Sequence, residues 1–97
     1  MITVRAGFVG FACSSYPRDV ITPMVDKARD AVQAEGLPLL SAGLCSTFAE
    51  ADAAIAQLRS QPMDYIIVCI PSWIETPVVI RVLAEFRHLP ILIWGLG

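Results

Sequence analysis

The last third of the sequence constrains the fold most, because it reads as strand, loop, helix and strand. Residues 65–70 (YIIVCI) form a nearly unbroken apolar run, which is typical of a strand buried on both faces of a parallel sheet. Thr76-Pro77 then predicts a helix start, since threonine is a good N-cap and proline suits the first helical position. Residues 91–94 (ILIW) predict a second buried strand. The result is a right-handed βαβ unit whose loop 71–76 follows a strand, where open α/β sheets bind ligands.

The preceding residues repeat the same alternation. The predicted elements are a strand over 4–12, a helix from Thr22-Pro23 to Gly36, a strand over 37–44, and a helix that begins at the capping box Thr47-Phe48-Ala49-Glu50. Gly7 and Gly10 should let a helix approach the first strand closely, and Pro38 favours an edge position for the second. Alternation of this kind predicts a flavodoxin-like (Rossmann-like) α/β three-layer sandwich with four parallel strands in order 2-1-3-4.

The chain length and the net charge limit the classes of partner that we expect for this protein. Ninety-seven residues suit a single α/β domain over 1–97. The net charge is −2 and charged residues make up 16%, without a basic stripe, so we expect neither nucleic acid nor a membrane as a partner. No apolar run reaches the roughly 18 residues of a membrane span. Three scattered cysteines and the lack of a secretory leader predict a reducing, cytoplasmic location.

The chain carries more apolar residues than a small domain can bury. Hydrophobic residues make up 56% and mean hydropathy is +0.63, although a small domain must leave much of its surface in water. The sequence also stops just after the last predicted strand, which would leave an apolar edge exposed. We therefore expect either the N-terminal domain or a truncated fragment of a longer protein, or a homo-oligomer that pairs through that edge.

Three familiar uses of this fold lack their residues here. A dinucleotide site needs GxGxxG after the first strand, but Gly7 and Gly10 lie inside it. A receiver domain needs an aspartate where this chain has Cys69-Ile70-Pro71, and the loop with Ser14 and Ser15 lacks the glycine of a flavin-phosphate site. None of these functions is favoured.

The cysteines allow two further interpretations. Cys13 followed by Arg18 resembles a phosphate-holding Cys–Arg loop of phosphatases or phosphocysteine carriers, although four residues separate them where phosphatases have five. The alternative is that Cys13 is a small side chain at a strand end. Cys13, Cys45 and Cys69 all fall near strand ends, but their spacing matches no zinc pattern, so we assign no metal ligand.

Trp73 lies in a loop over the predicted crevice and has no evident core to fill. An aromatic face in such a place can pack against a sugar ring, with nearby polar groups setting its orientation. Arg18 and Glu75 are the candidate polar partners across the cleft. The alternatives are that Trp73 covers the end of the sheet or meets another domain, and that both charged residues form simple surface ion pairs.

Two stretches carry a resemblance to a known family. DYIIVCIPSWIETP with the later LPILIWG, and VGFACSSYPRD with the helix after it, resemble the N-terminal domain of the L-fucose isomerase/L-arabinose isomerase superfamily over nearly the whole chain. The resemblance implies a carbohydrate-metabolism protein that interconverts aldoses and ketoses with Mn²⁺ or another divalent metal, whose ligands lie in later domains. It implies that Arg18 and Trp73 contact the sugar in an oligomer. The expected substrate-binding set is Arg18, Trp73, Ser14, Ser15, Tyr16 and Glu75.

These observations lead to one expected function and two alternatives. We expect a substrate-capping and oligomerisation domain of a sugar isomerase-like protein, which has no catalytic residues and no cofactor of its own. The first alternative is a stand-alone phosphoryl-transfer or carrier domain that uses Cys13. The second is a structural fragment that dimerises through its last strand.

Overall fold

The computed structural model describes residues 4–13, 15, 17–71, 74 and 76–95. These residues form an alternating series of strands and helices, and a short 3₁₀ turn, Ala84–Phe86, follows the last helix. The elements are β1 (Ala6–Phe11), α1 (Arg18–Ala34), β2 (Leu39–Cys45), α2 (Phe48–Arg59), β3 (Tyr65–Ile70), α3 (Thr76–Leu83) and β4 (Ile91–Gly95).

The four strands form one parallel sheet in the order β2-β1-β3-β4, so the predicted flavodoxin-like α/β fold is confirmed. β1 and β3 pair directly, with Ala6 opposite Tyr65, and β3 pairs with β4, with Ile66 opposite Ile91. The segments after β1 and β3 therefore leave the same edge of the sheet side by side. This edge, where all four strands end, is called the carboxyl edge below.

Helices cover both faces of the sheet, which makes three layers. On the first face Ala6, Phe8 and Ile67 pack against α1. On the second face Val9, Phe11, Ile66 and Val68 pack against α2 and α3, and this is the larger of the two cores. The alternation follows from strand geometry, since successive side chains point to opposite faces. These surfaces are called the α1 face and the α2/α3 face below.

Two glycines in β1 set the distance between the sheet and its helices, as predicted. A Cβ at Gly10 would lie 2.8 Å from Cγ1 of Val25 in α1. A Cβ at Gly7 would lie 2.9 Å from Cδ2 of Leu58 in α2 and 2.6 Å from Sδ of Met63. Each glycine therefore lets a side chain from the layer above approach the backbone of the central strand.

The start of α1 corrects the sequence interpretation. The helix begins at Arg18, one turn before the predicted start at Thr22, so Pro23 lies inside it. Pro17 is the N-cap residue, and its carbonyl accepts the N–H of Ile21. Thr-Pro is a good helix start, but here Pro23 is the sixth residue of α1, where it lacks the N–H that would bond to the carbonyl of Asp19. The C-terminus is as predicted: Gly36 follows the helix with φ 84°.

The last strand is not buried, contrary to the prediction. Ile91, Leu92 and Ile93 are 37%, 57% and 63% exposed, and only Trp94 is half-buried. β4 has β3 on one side and, among the described residues, no strand on the other. A continuous apolar run indicates a strand, but it does not show whether another layer covers that strand.

The opposite edge strand, β2, is irregular. Phe8 lies opposite Ser41 but Gly10 lies opposite Leu44, so β2 has one residue more than β1 in this interval. Gly43 lies in this bulge with φ 79°, a backbone conformation that favours glycine.

No described helix is long and apolar enough to cross a membrane.

Candidate functional site at the carboxyl edge of the sheet

Four polar side chains meet at the carboxyl edge, where β1 and β2 end. Arg18 is the first residue of α1, and Ser46, Thr47 and Glu50 lie between the end of β2 and the first turn of α2. β1 and β2 are neighbours, so the segments after them are adjacent as well. These four residues are called the carboxyl-edge cluster.

Arg18 and Glu50 form the centre of this cluster. Nη2 of Arg18 donates to Oε1 and Oε2 of Glu50 at 2.6 and 2.5 Å, and to Oγ of Ser46 at 3.3 Å. The Arg18 side chain is 46% exposed and that of Glu50 is 34% exposed. The pair therefore contacts the buried Ser46 on its inner side and is exposed to solvent on its outer side.

The first turn of α2 fixes the position of Glu50. The backbone N–H of Glu50 donates to Oγ1 of Thr47 at 3.2 Å, which confirms half of the predicted capping box. In the other half, the carboxylate accepts the N–H of Ser46 at 3.0 Å, one residue before the N-cap. The N-cap and its neighbour therefore orient a carboxylate whose second role is to bind Arg18.

These contacts also determine the acidity of Glu50. Partial burial alone would raise its pKa, but hydrogen bonds from Arg18 and the Ser46 N–H, the positive charge of Arg18 and a hydrogen bond from Thr47 outweigh burial and hold the pKa below its ordinary value. Glu50 is therefore an anion at neutral pH. An Arg18 guanidinium that is already neutralised by a carboxylate is poorly suited to bind a phosphate.

Two of the three thiols are buried and form little reactive thiolate at neutral pH. Burial raises the pKa of Cys69 to about 11, and burial together with the negative charge of Glu50 raises that of Cys45 to about 11. Cys13, after β1, is half-buried, and its Sγ lies 3.0 Å from Oγ of Ser15 in a shared hydrogen bond. Cys13 is thus the thiol nearest to solvent among the three.

The predicted site residues can be compared only in part with this arrangement. Arg18 and Ser15 both lie at the carboxyl edge, as expected. Arg18 forms a half-exposed ion pair with Glu50, which agrees with the surface ion pair that the sequence left open as the alternative for this residue. The remaining predicted residues lie outside the described part of the chain: Ser14, Tyr16, Trp73 and Glu75. No group of three or more His, Cys, Asp or Glu side chains in the described residues could hold a metal ion.

Sequence reasoning missed the pairing of Arg18 with Glu50, although its parts were visible. Thr47 and Glu50 were recognised as a helix cap, and Arg18 was recognised as a loop residue that could bind a ligand. The predicted order 2-1-3-4 already makes the segments after β1 and β2 neighbours, which was the available signal. The exact contact depends on α1 beginning at Arg18, whereas the Thr-Pro pattern predicted a helix start at Thr22.

Comparisons with known proteins add no relative. No protein-family model, no curated protein and no solved structure matches this chain. The resemblance to the isomerase superfamily therefore remains a hypothesis from the sequence.

Proposed function

We propose that this chain is a substrate-capping and oligomerisation domain of a sugar isomerase-like protein, and that it is not catalytic alone. The observation that carries the proposal is the half-exposed Arg18–Glu50 pair at the carboxyl edge. A planar donor beside a planar acceptor suits a polyol, whose hydroxyl groups both donate and accept hydrogen bonds. The edge is also where parallel α/β sheets bind ligands.

The charge balance of the cluster favours a neutral ligand. Arg18 and Glu50 cancel each other, so an anionic substrate gains little attraction and meets the carboxylate directly. A sugar requires only hydrogen bonds and an apolar surface. Trp73, in the loop that follows β3 in the sequence, is the proposed apolar contact. The resemblance to the isomerase superfamily supports a sugar contact for both Arg18 and Trp73.

The proposal assigns catalysis to other parts of an isomerase-like protein. In the superfamily that the sequence resembles, a divalent metal such as Mn²⁺ supports proton transfer between the carbonyl and its neighbouring carbon. The proposed role of this chain is to close over the substrate and to contribute to assembly. Isomerisation of a sugar by the 97-residue chain itself would contradict this part of the proposal.

The test is a titration of the isotope-labelled chain with a panel of aldoses and ketoses, in which binding is monitored by the NMR chemical shifts of the backbone amides. We expect shifts confined to residues near Arg18, Glu50 and Trp73. The affinity of Arg18→Gln should be at least about tenfold weaker, since a hydrogen bond to a charged group contributes about 1.5–3 kcal/mol. Inorganic phosphate should bind no better than the sugars.

The matched control is Arg81→Gln. Arg81 also pairs with a carboxylate, Asp52, at 2.7 Å and is 48% exposed, but it lies on the surface between α2 and α3. Arg81→Gln removes a surface ion pair and a contact with the Phe48 ring, and it leaves all four side chains of the carboxyl-edge cluster in place. Equal sugar affinity in both variants, or no binding to any sugar, would contradict the capping role.

A further inference from the structure

The two edges of the sheet are protected differently. At the β2 edge, Pro38 precedes the strand and Gly43 forms a bulge, and both features hinder the addition of another strand. The β4 edge (Ile91–Gly95) has no proline, bulge or charged residue within the strand. Natural sheets usually protect a free edge, so an unprotected apolar one indicates that something pairs with it.

The hydrogen bonds of β3 show which groups of β4 face outward. The N–H of Ile66 donates to the carbonyl of Pro90 at 3.0 Å, and Ile66 lies opposite Ile91. In a parallel ladder alternate residues bond to each neighbour, so Leu92 and Trp94 also turn their backbone groups toward β3. The backbone groups at the free edge belong to Ile91, Ile93 and Gly95.

The side chains of β4 are only partly covered on either face: Ile91, Leu92 and Ile93 are exposed, and Trp94 is half-buried. On the α1 face, a groove of about 320 Å³ separates Trp94 from Met24 and Ala28 of α1. On the α2/α3 face, a groove of about 410 Å³ lies between Ile91 and the α3 residues Ile80 and Leu83. The free edge is therefore flanked by apolar surface above and below.

We propose that β4 pairs with β4 of a second copy of this chain, antiparallel, around a two-fold axis that passes beside Ile93. The two sheets then form one continuous sheet. A two-fold axis perpendicular to the sheet makes the strands antiparallel and keeps each face on its own side. A symmetric parallel pair would instead place identical backbone groups opposite each other, donor against donor.

This register makes the strand complementary to itself. Ile93 lies opposite Ile93 of the second copy and exchanges both backbone hydrogen bonds with it. Ile91 lies opposite Gly95, which leaves room for the isoleucine side chain. On the α1 face Leu92 lies opposite Trp94, an aliphatic–aromatic pair of the kind that stabilises neighbouring strands.

The area available fits a weak, reversible dimer. Taking about 200 Å² for a fully exposed large apolar residue, Ile91, Leu92 and Ile93 present about 300 Å² per copy. The two copies together can therefore bury about 600 Å² of β4 side chain, which is below the roughly 1,000 Å² of a stable specific interface and is consistent with weak association. The inference rests on the oligomerisation role proposed above and supplies its partner and geometry.

The first test is sedimentation of the full chain over a concentration series from micromolar to millimolar. We expect a reversible monomer–dimer equilibrium. Ile93→Lys places two like charges side by side at the axis and should raise the dimer dissociation constant by about 100-fold. The control Val4→Lys adds the same charge at a 43% exposed position before β1 and should leave the equilibrium unchanged.

The second test checks the register by oxidation, in a Cys13→Ser background because Cys45 and Cys69 are buried. Ile93→Cys should form a disulfide-linked dimer, because residues that face each other across the axis lie within bridging distance. Leu92→Cys should not, because its counterpart lies diagonally across, about 8 Å away and beyond the limit for a disulfide.

Three outcomes would overturn the inference. These are a monomer at millimolar concentration, a dimer that Ile93→Lys leaves intact, and cross-linking of Leu92→Cys equal to that of Ile93→Cys. Binding of β4 only to a different protein is among the contrary results, since the chain would then be monomeric alone. The sugar titration reports on the carboxyl edge, so failure of the capping role and failure of the β4 dimer can be told apart.

Discussion

Gly10→Ala tests the packing that gives this domain its three layers. The new Cβ would lie 2.8 Å from Cγ1 of Val25, 3.2 Å from its Cγ2 and 3.3 Å from Cδ1 of Leu44. Carbon atoms in contact prefer about 3.5–4.0 Å, so α1 must move away from the sheet by several tenths of an ångström. Val25 cannot rotate out of the way, since a valine in a helix has one strongly preferred rotamer.

Two opposing effects set the magnitude. Overpacking a buried site costs about 1–3 kcal/mol. Replacing glycine in a strand returns about 0.5–1 kcal/mol, because alanine loses less conformational freedom on folding. We therefore expect Gly10→Ala to lower the free energy of unfolding by about 1–2 kcal/mol, and the melting temperature by roughly 5–15 °C for a domain of this size.

The assay is urea unfolding at low micromolar concentration, followed by circular dichroism. Gly7→Ala should cost less than Gly10→Ala, because its new Cβ meets the ends of Met63 and Leu58, and methionine readjusts easily. Gly95→Ala is the control: its Cβ has nothing within 4 Å and should change stability little.

A double mutant separates the clash from other effects. Val25→Ala alone should cost about 1–3 kcal/mol, because it leaves a cavity above β1. In Gly10→Ala/Val25→Ala the new methyl group occupies part of that cavity, so the combined loss should be smaller than the sum by about 1 kcal/mol. Strict additivity, or a Gly10→Ala variant as stable as the parent, would refute the packing argument.

Three further predictions concern the backbone, the cluster and the thiols. Gly43→Ala should destabilise the domain by about 1–2 kcal/mol in urea unfolding, whereas Gly43→Asn should cost less, because asparagine tolerates a positive φ and the space around Gly43 is open. The pKa of Glu50 is lowered in the fold, so the ionised carboxylate stabilises the protein above the ordinary pKa of 4.5, and this stabilisation is lost as pH falls through the lower folded pKa. Glu50→Gln should therefore reduce the free energy of unfolding at pH 7 and make that free energy fall less steeply below pH 4.5. A variant whose pH profile runs parallel to that of the parent would contradict this. Iodoacetamide at pH 8 should label Cys13 rapidly in the native state but Cys45 and Cys69 only on unfolding, since burial raises the pKa of both to about 11; mass spectrometry that shows equal labelling would disprove their burial.

The sequence predicted most of the architecture because its signals are local. The bounds of β3, Tyr65–Ile70, agree with the predicted run residue for residue, since a short apolar segment between turn signals leaves little ambiguity. The cap at Thr47 and the left-handed Gly36 were visible for the same reason. Strand order followed from the alternation together with Pro38, which favours an edge position for the second strand, because consecutive βαβ units of one hand allow few arrangements.

The errors arose where a local signal competed with a distant contact. Thr22-Pro23 favours a helix start, but Arg18 begins the helix and its side chain bonds to Glu50, thirty-two residues away. Met24 is an apolar residue one position before the buried Val25, yet it is 37% exposed beside Trp94. An apolar residue is buried only if another layer lies above it, and that depends on the whole fold.

The sequence by itself determined the elements, their order and the apolar excess, because apolar period, turn residues and caps are properties of neighbouring residues. Only the tertiary structure decided where that excess lies and what Arg18 binds. Three exposed apolar side chains, Ile91, Leu92 and Ile93, lie together on β4 because the described helices cover β1 and β3 more fully than the last strand. Arg18 meets Glu50 because two segments far apart in the chain leave neighbouring strands at the same edge.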